Sequence, residues 1–524
     1  MAYYYSILAK LKILVFLTFL FTPVLVEGYG PPNLLSWCNK TPYPKQCIYY
    51  LTHNQYSSTI KGKSDFLKMM MQSAMQNAKK AHQNAHSIGH SCKNKREKAA
   101  LKDCLELYEM SVQHLNQTMN TPSCTRVDAQ AWLSSALTLF QTCQNGFSDL
   151  GVTKNIMPMM FNANVSCLIR NALAINNRGS VSKVGGHTWD EPIKDEFPDW
   201  VRPGDRKLLQ SSRTQANLVV ARDGSGDYKT VGQAISAASR RKGSGRFVIH
   251  IKAGTYKENL EVGSKLKNIM FLGDGIGKTI ITGSKSVGGG STTYRSATVA
   301  VVGSGFMAQG ITFQNTAGPS NHQAVALRSN SDLSVFYKCS FEGYQDTLYV
   351  HSNRQFYREC NIYGTVDFIF GNAAVVIQNC NIYTRYPPAG TNTITAQGRT
   401  DPNENTGISI HNSRVSPAED QKGSKTYLGR PWRKYSRTVF MKTYLSNIVD
   451  PKGWLEWDGS FALSTLYYGE YANTGPGSST SNRVNWPGYH VITSASEARK
   501  FSVENFIAGD SWLSNTGVPF TSGL

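Results

Sequence analysis

Two hydrophobic rhythms divide this chain. Between residues 64 and 177, Met69, Met70, Leu101, Leu105, Leu107, Trp132, Leu133, Leu137 and Leu139 recur near helical spacing among Ala, Gln, Lys and Glu. That pattern predicts a small helical bundle. Residues 179–209 then change to Gly, Pro, Asp and Lys, with Gly185-Gly186, Pro192, Pro198 and Pro203-Gly204 interrupting any regular element, which is the texture of a linker. After residue 216 the apolar positions come as short Val, Ile, Phe and Thr runs cut by Gly, Asn and Asp: 247–252, 269–272, 298–302, 310–313, and onward to about 410. One short helix is predicted near 230–239. Strands with so few helical periods between them can bury themselves by stacking on one another, without a cover of crossover helices.

An internal repeat gives that stacking a register. Aligning Phe336-Tyr337-Lys338-Cys339-Ser340-Phe341 with Phe356-Tyr357-Arg358-Glu359-Cys360-Asn361-Ile362 and Val376-Ile377-Gln378-Asn379-Cys380-Asn381-Ile382 superposes the cysteines at steps of 21 (360 − 339) and 20 (380 − 360). Self-similarity near twenty residues in β-branched and aromatic segments reads as a parallel β-solenoid with coils roughly 4.8 Å apart. Asp346 and Asp367 keep the same step (367 − 346 = 21), inside Tyr344-Gln345-Asp346-Thr347-Leu348-Tyr349 and Thr365-Val366-Asp367-Phe368-Ile369-Phe370. Stacking therefore sets two carboxylates side by side. Such a pair cannot ionise freely: one holds its proton to higher pH while the other stays charged, which supplies an acid and a nucleophile. A lone aspartate at a coil corner is more often a solvated turn residue. A pair in register beside Gln345, Tyr344 and Phe368 points to chemistry.

Length and composition add context. The 524 residues exceed one ordinary domain. Residues 1–28, with Lys10 and Lys12 before an apolar run over 13–26, have the pattern of a secretory signal peptide, with a short amino-terminal anchor as the alternative. No later run is long and apolar enough to span a bilayer. Asn39, Asn116 and Asn164 head glycosylation acceptor triplets. Ten cysteines in an exported chain suggest disulfides, and no Cys-x-x-Cys supports a metal or redox motif. Cys38 and Cys47 are placed to close a small loop. Cys339 and Cys360, one coil apart, have α-carbons within the reach of a disulfide. The formal charge of +20 implies an acidic partner. The basic residues are scattered and no nucleic-acid motif occurs, so an acidic extracellular polymer fits better than nucleic acid.

Several tempting signals fail. Gly273-Asp274-Gly275-Ile276-Gly277-Lys278-Thr279 resembles a phosphate loop, but the first glycine of that motif would fall at Leu272; a tight turn between coils is the simpler reading. No Gly-x-Ser-x-Gly elbow is present, so any esterase chemistry needs another nucleophile. His82, His86 and His90 repeat every fourth residue, yet no carboxylate or cysteine completes a metal set, and they read as a polar helix face. Arg206-Lys207-Leu208-Leu209, ending the linker, suits a processing protease.

Five further segments carry a resemblance. Gly254-Thr255-Tyr256-Lys257-Glu258, Gln323-Ala324-Val325-Ala326-Leu327, Tyr344-Gln345-Asp346-Thr347-Leu348, Asp367-Phe368-Ile369-Phe370-Gly371 and Leu428-Gly429-Arg430-Pro431-Trp432 resemble, in order, the signature segments of plant pectin methylesterases. The likeness covers essentially all of 214–524, and the helical half resembles, by layout, the inhibitor domain that many members carry as a pro-region. It implies a signal peptide at 1–28, an all-α, four-helix inhibitor-like pro-domain at 29–178, a linker with a processing site at 179–209, and an all-β, right-handed parallel β-helix at 210–524. Cys38 with Cys47 and Cys104 with Cys143 sit where the inhibitor domain's two disulfides would be, whereas Cys92, Cys124 and Cys167 have no counterparts there, and Cys380 is left without an assigned partner.

The resemblance also implies roles. Asp367 is the nucleophile and Asp346 the proton donor and general base. Gln345 and Gln323 stabilise the oxyanion, Arg430 orients Asp367, and Thr293 and Trp432, with Gln323 and Arg430, contact the sugar. No metal or organic cofactor is implied. The partners are methyl-esterified homogalacturonan, a protease at Arg206–Leu209 and a proteinaceous inhibitor; the protein is expected to be a secreted, cell-wall monomer. Two rival readings stay open at this point: a lyase or glycosidase acting on the same polymer, and a non-catalytic wall-binding or inhibitor protein.

Overall fold

The computed structural model describes residues 32–53, 60–88, 92, 94–152, 163–177 and 216–524. The expected leader, the linker with its dibasic site, and His90 lie outside the described residues. The amino-terminal half contains α1 (Pro32–Asn39), α2 (Pro44–Thr52) and four longer helices: α3 (Lys63–Ile88), α4 (Lys95–Asn120), α5 (Arg126–Asp149) and α6 (Ala163–Asn177). Two of the long helices begin at capping boxes. Asn94 accepts from the Glu97 amide while Glu97 reaches back, and Thr125 and Asp128 do the same for α5. Cys38–Cys47 joins α1 to α2, and Cys104–Cys143 ties α4 to α5. Phe66, Met70, Leu107, Tyr108, Leu137 and Leu168 are among the side chains that fill the bundle core. His82 and His86 lie edge to face on α3, with centroids 5.8 Å apart.

From residue 216 the chain forms a parallel β-helix of three sheets with 11, 7 and 8 strands. Every strand pairing between coils is parallel, and the repeat register is Phe336 with Tyr357 with Ile377, then Ser340 with Asn361 with Asn381. The interior is a pile of like residues: Phe313 stacks on Phe341 at 5.6 Å and Phe336 on Tyr357 at 4.7 Å. Truncating one such ring would cost about 3–5 kcal/mol. Strand Arg354–Arg358 shows the alternation: Tyr357 faces the interior, while Phe356 faces outward. There it is covered by a carboxy-terminal layer with Phe501, Val503, Phe506 and Trp512. The short helix α7 (Val231–Ala238) lies where the sequence predicts, capped by Thr230. The strands run past residue 410 to Tyr489–Val491, because later coils are longer and their turn residues dilute the strand pattern.

Coil corners use the left-handed backbone region. Lys338, Glu359, Asn379, Asn412, Lys442 and Ala472 all have φ between 48° and 55°, each following a strand of the 11-stranded sheet. Cys339, Cys360 and Cys380 come directly after three of these corners and stack as the repeat requires. The expected Cys339–Cys360 disulfide is nevertheless not formed, and all three are buried free thiols. In-register parallel stacking keeps successive β-carbons near the strand spacing of about 4.8 Å, wider than the roughly 3.5–4.5 Å that a disulfide spans. The α-carbon distance alone does not reveal this. The thiols turn to carbonyls instead: Cys360 Sγ to Phe336 O and Arg358 O, both at 3.3 Å, and Cys339 Sγ to Tyr337 O at 3.4 Å.

The seven-stranded sheet presents one outward row, Ala300, Arg328, Tyr349, Phe370 and Ala396, held in line by its register. All but Arg328 belong to the apolar cluster of the helical bundle, so bundle and β-helix share a core. Helix α5 is the element in between, with residues 129–140 all buried. Its Trp132 Nε1 donates to Asp332 Oδ2 at 2.9 Å, and its Thr138 hydroxyl accepts from Asn372 Nδ2 at 2.8 Å. The correction at the thiol stack has a direct check. Titration of the denatured, unreduced protein with a thiol reagent should find six reactive cysteines; four would show a bridge in the solenoid core.

Candidate active site

Asp346 and Asp367 occupy matched positions two residues before the paired Leu348 and Ile369. The Asp346 amide donates to Val366 O at 3.1 Å, which joins the two coils at this point. Both residues have positive φ, 63° and 52°, a region that aspartate tolerates better than most residues. At Asp367 the strand also carries a bulge. Val366 pairs with Thr393 but Ile369 with Thr395, so three steps on one strand match two on the next. The extra residue re-aims the local side chains. Phe368 turns into the core, and Asp367 faces a cavity of about 300 Å³. Asp346, Gln323, Gln345, Thr293, Arg430 and Trp432 line the same cavity. Tyr344 lies apart from it, under the Arg385 guanidinium.

The two carboxyl groups have different surroundings. Asp367 takes a two-pronged ion pair from Arg430, Nε to Oδ1 at 2.9 Å and Nη2 to Oδ2 at 2.8 Å, and a bond from the Thr393 hydroxyl at 2.6 Å. A fork of this kind fixes both oxygens. The Asp346 carboxyl has no hydrogen bond among the described residues. Burial first, then the charges of Asp367 and Asp149, hold its pKa well above the ordinary carboxylate value, with Arg430 partly opposing them. Arg430 and Thr393 thus hold one carboxyl on both oxygens, while burial beside that neighbour disfavours the charged form of the other.

The half-buried Gln323 and Gln345 have side-chain amides without hydrogen-bond partners among the described residues. A hydrogen-bonded glutamine ladder, the structural alternative for two stacked glutamines, would have paired them. Trp432 packs edge-on to Phe370 at 6.0 Å. It can sit this close to the sheet because residue 398 is glycine: a β-carbon there would lie 2.9 Å from Trp432 Cε3. Trp457, which the sequence reading left unassigned, has the Arg430 guanidinium 4.5 Å from its ring centroid and completes the wall. Thr393 was also missed, since its step from Asp367 is 26 residues (393 − 367) and the twenty-residue repeat does not reach it.

The largest omission comes from the other half of the chain. Asp149, the last residue of α5, lines the cavity and accepts from the Thr293 amide at 3.0 Å. Burial lifts its pKa, and the Thr293 bonds oppose that. A carboxylate at a helix carboxy terminus meets an unfavourable dipole, so its position reflects what it touches on the β-helix rather than helix stability. No periodicity or motif links a bundle residue to a site about two hundred positions away.

Comparison with known proteins then decides the family. The Pectinesterase family profile matches residues 217–510, more than half of the chain. The chain belongs to the pectinesterase family. It is a pectinesterase-type ester hydrolase, and residues 33–175 match a second profile, Plant invertase/pectin methylesterase inhibitor. The chain is 62% identical over 503 residues to Pectinesterase 2 of Citrus sinensis, spanning 95% of this chain and 96% of that one. It is 61% identical to Probable pectinesterase/pectinesterase inhibitor 17 of Arabidopsis thaliana, with the same coverage. Among solved structures, Pectin methylesterase from Carrot is 60% identical with a TM-score of 0.59, matching 60% of this chain and 100% of that one. No helix among the described residues is long and apolar enough to cross a membrane.

The electrostatics of the enzyme's site give a signed expectation. Removing the Asp149 charge with Asp149→Asn should lower the Asp346 titration midpoint, and Arg430→Gln should raise it. Carboxyl ¹³C NMR across pH reads both shifts; movement in the opposite sense would refute the arrangement of charges.

Proposed function

We propose that this enzyme removes methyl esters from homogalacturonan, giving free carboxylates and methanol, with Asp367 as nucleophile and Asp346 as acid and base. The observation that carries this reading is the unequal support of two adjacent buried carboxyls, one held by Arg430 and Thr393, the other without a hydrogen bond and with its pKa raised by burial and by its neighbour's charge. An Asp367 oxygen attacks the C6 ester carbonyl, and the carbonyl π electrons move onto its oxygen. Gln323 and Gln345 donate their free amide hydrogens to that oxyanion. As the tetrahedral intermediate collapses, the C–O bond to the methoxy group breaks and Asp346 gives its proton to the departing oxygen, so methanol leaves and an acyl-enzyme anhydride remains. Asp346, now charged, takes a proton from water as the water attacks the anhydride. Collapse of that second intermediate expels Asp367 as its carboxylate and frees the polymer's carboxylic acid, which loses its proton to solvent, while Asp346 keeps the proton it took from water for the next turnover.

Arg430 holds Asp367 with both oxygens fixed, and Trp432 with Trp457 offers aromatic walls to a sugar ring. The family of the amino-terminal half and the place of α5 in the cleft support a zymogen: while α5 lies over the site, a polymer cannot enter. Cleavage in the linker would let the helical unit leave. A plant cell wall, where methylated galacturonan is found, is the setting that fits this substrate, and the leader read from residues 1–28 would deliver the protein there.

The tests separate this reading from chain cleavage. Asp367→Asn keeps shape and removes the attacking charge; methanol release from methylated pectin should fall at least roughly a thousandfold. Gln345→Ala should cost on the order of a hundredfold in kcat. Loss of polymer length without methanol release would instead identify a lyase or glycosidase. Proteolysis within 178–215 should raise the rate of methanol release, and an unchanged rate would refute the zymogen.

A further inference from the structure

One interior column of the β-helix ends on a charge. In-register stacking lines up Tyr357, Ile377, Ile410, Phe440 and Glu470, so a carboxylate stands where the preceding coils place hydrophobic side chains. Its side chain and that of Arg483 are each only 2% exposed. Arg483 Nε donates to Glu470 Oε1 at 2.8 Å and Nη2 to Oε2 at 3.1 Å, and the Tyr489 hydroxyl and Trp454 Nε1 donate to the same Oε1 at 3.1 and 3.3 Å. The guanidinium also reaches the backbone, Nη1 to Pro451 O at 3.1 Å and Nη2 to Gly477 O at 2.8 Å. The stem of Arg483 lies across Gly453, where φ is 70° and a β-carbon would be 2.3 Å from Arg483 Cδ, so glycine is what fits there. The Val484 amide then donates to Lys452 O at 3.1 Å. Residues 451–453 are thus clamped from one side.

Their other side carries the strand that ends just before Arg430. The Leu428 amide donates to Gly453 O at 2.7 Å, Leu455 to Gly429 O at 3.0 Å and Asp450 to Thr426 O at 2.8 Å, so segment 450–455 is the next rung beside Lys425–Gly429. Trp454, buried and stacked on Tyr468 at 4.1 Å, roots that rung in the core. Three residues on, Trp457 lies against the Arg430 guanidinium. We propose that Arg483, aimed by Glu470, is a positioning residue for the reaction: by fixing 451–457 it sets both the backbone that delivers Arg430 and the indole on which its guanidinium lies, and so the fork on Asp367. The inference rests on the function proposed above, in which Arg430 must meet both Asp367 oxygens. Neither Glu470 nor Arg483 lines the cavity. A well-packed apolar pair would fill the same space with no charge to desolvate. What the ion pair supplies is direction, because a guanidinium bonded to a carboxylate and two backbone carbonyls has one orientation.

Full-length protein tests this. Glu470→Gln with Arg483→Met removes the pair and leaves no buried charge alone, and thermal unfolding checks that the double variant folds. The Arg430 Nε–H, bonded to Asp367 Oδ1, gives a ¹H–¹⁵N signal that Arg430→Gln assigns; in the double variant its hydrogen exchange should be at least roughly tenfold faster than in the parent. Methanol release, measured after the same cleavage within 178–215, should fall at least roughly tenfold in kcat. Added to Arg430→Gln, the double change should cost less than about a further twofold, since the residue it positions is already gone. Arg483→Lys keeps the charge and loses the fork, and should lie between the parent and the double variant in both readouts; it decides alone if the double variant does not fold. Equal kcat losses with and without Arg430, which a merely structural role would give, or an Arg430 signal as protected as in the parent, would overturn the proposal. Absence of methanol release from every form would count against the reaction proposed above, and the guanidinium signal would still decide the positioning.

Discussion

Parallel, in-register stacking of the coils is the constraint on which the rest of the molecule depends. It repeats every side chain at the strand spacing, so whatever one coil places at a corner the next coil places beside it. In the interior this makes columns of Phe, Ile and Val that bury their faces against each other. At the corner before Leu348 and Ile369 the same rule brings two carboxyl groups together, which in an apolar column would be destabilising by several kcal/mol. The fold tolerates the pair because Arg430 and Thr393 satisfy one member, while burial raises the pKa of the other and so disfavours a second charge. A stacking rule that elsewhere only builds a core here sets two carboxyl groups with unequal surroundings side by side.

Local departures from the rule do the positioning. The bulge at Asp367 sends Phe368 inward and leaves Asp367 at the cavity, and the positive φ of both aspartates turns the chain at that corner. Arg430 arrives from two coils away, just after strand Lys425–Gly429, close enough to meet both oxygens of Asp367. The thiol stack shows the other side of this geometry. Three cysteines in register look like a bridge and its neighbour, but parallel β-carbons stay too far apart to be joined.

The contact between the two halves mixes apolar and polar groups, both beside the cavity and away from it. Tyr349, Phe370 and Ala396 bury area against the bundle, while Trp132, Thr138 and Asp149 find hydrogen-bond partners on the β-helix. Burial of Asp103 and Asp149 raises both pKa values. The sign follows: for each group the docked form is favoured while the acid is neutral, and that advantage is lost as pH rises through the raised value. Docking is therefore a balance between a hydrophobic seat and charges that prefer water unless Arg295 and Thr293 meet them.

Much of this was legible in the residues. The period near twenty, the step of 21 between Asp346 and Asp367 and the helical rhythm of the first half are local patterns, which survive without coordinates because strand stacking and helix faces obey short-range periodicity; the glutamines and Arg430 were singled out by resemblance to family segments. What only the tertiary structure decided involves segments distant in sequence: Thr393 on a coil of irregular length, Trp457 over Arg430, the free thiols of Cys339 and Cys360, and above all Asp149 of the bundle lying in the cleft. Those depend on where one packed surface meets another, and no period within a single segment encodes the partner it will meet.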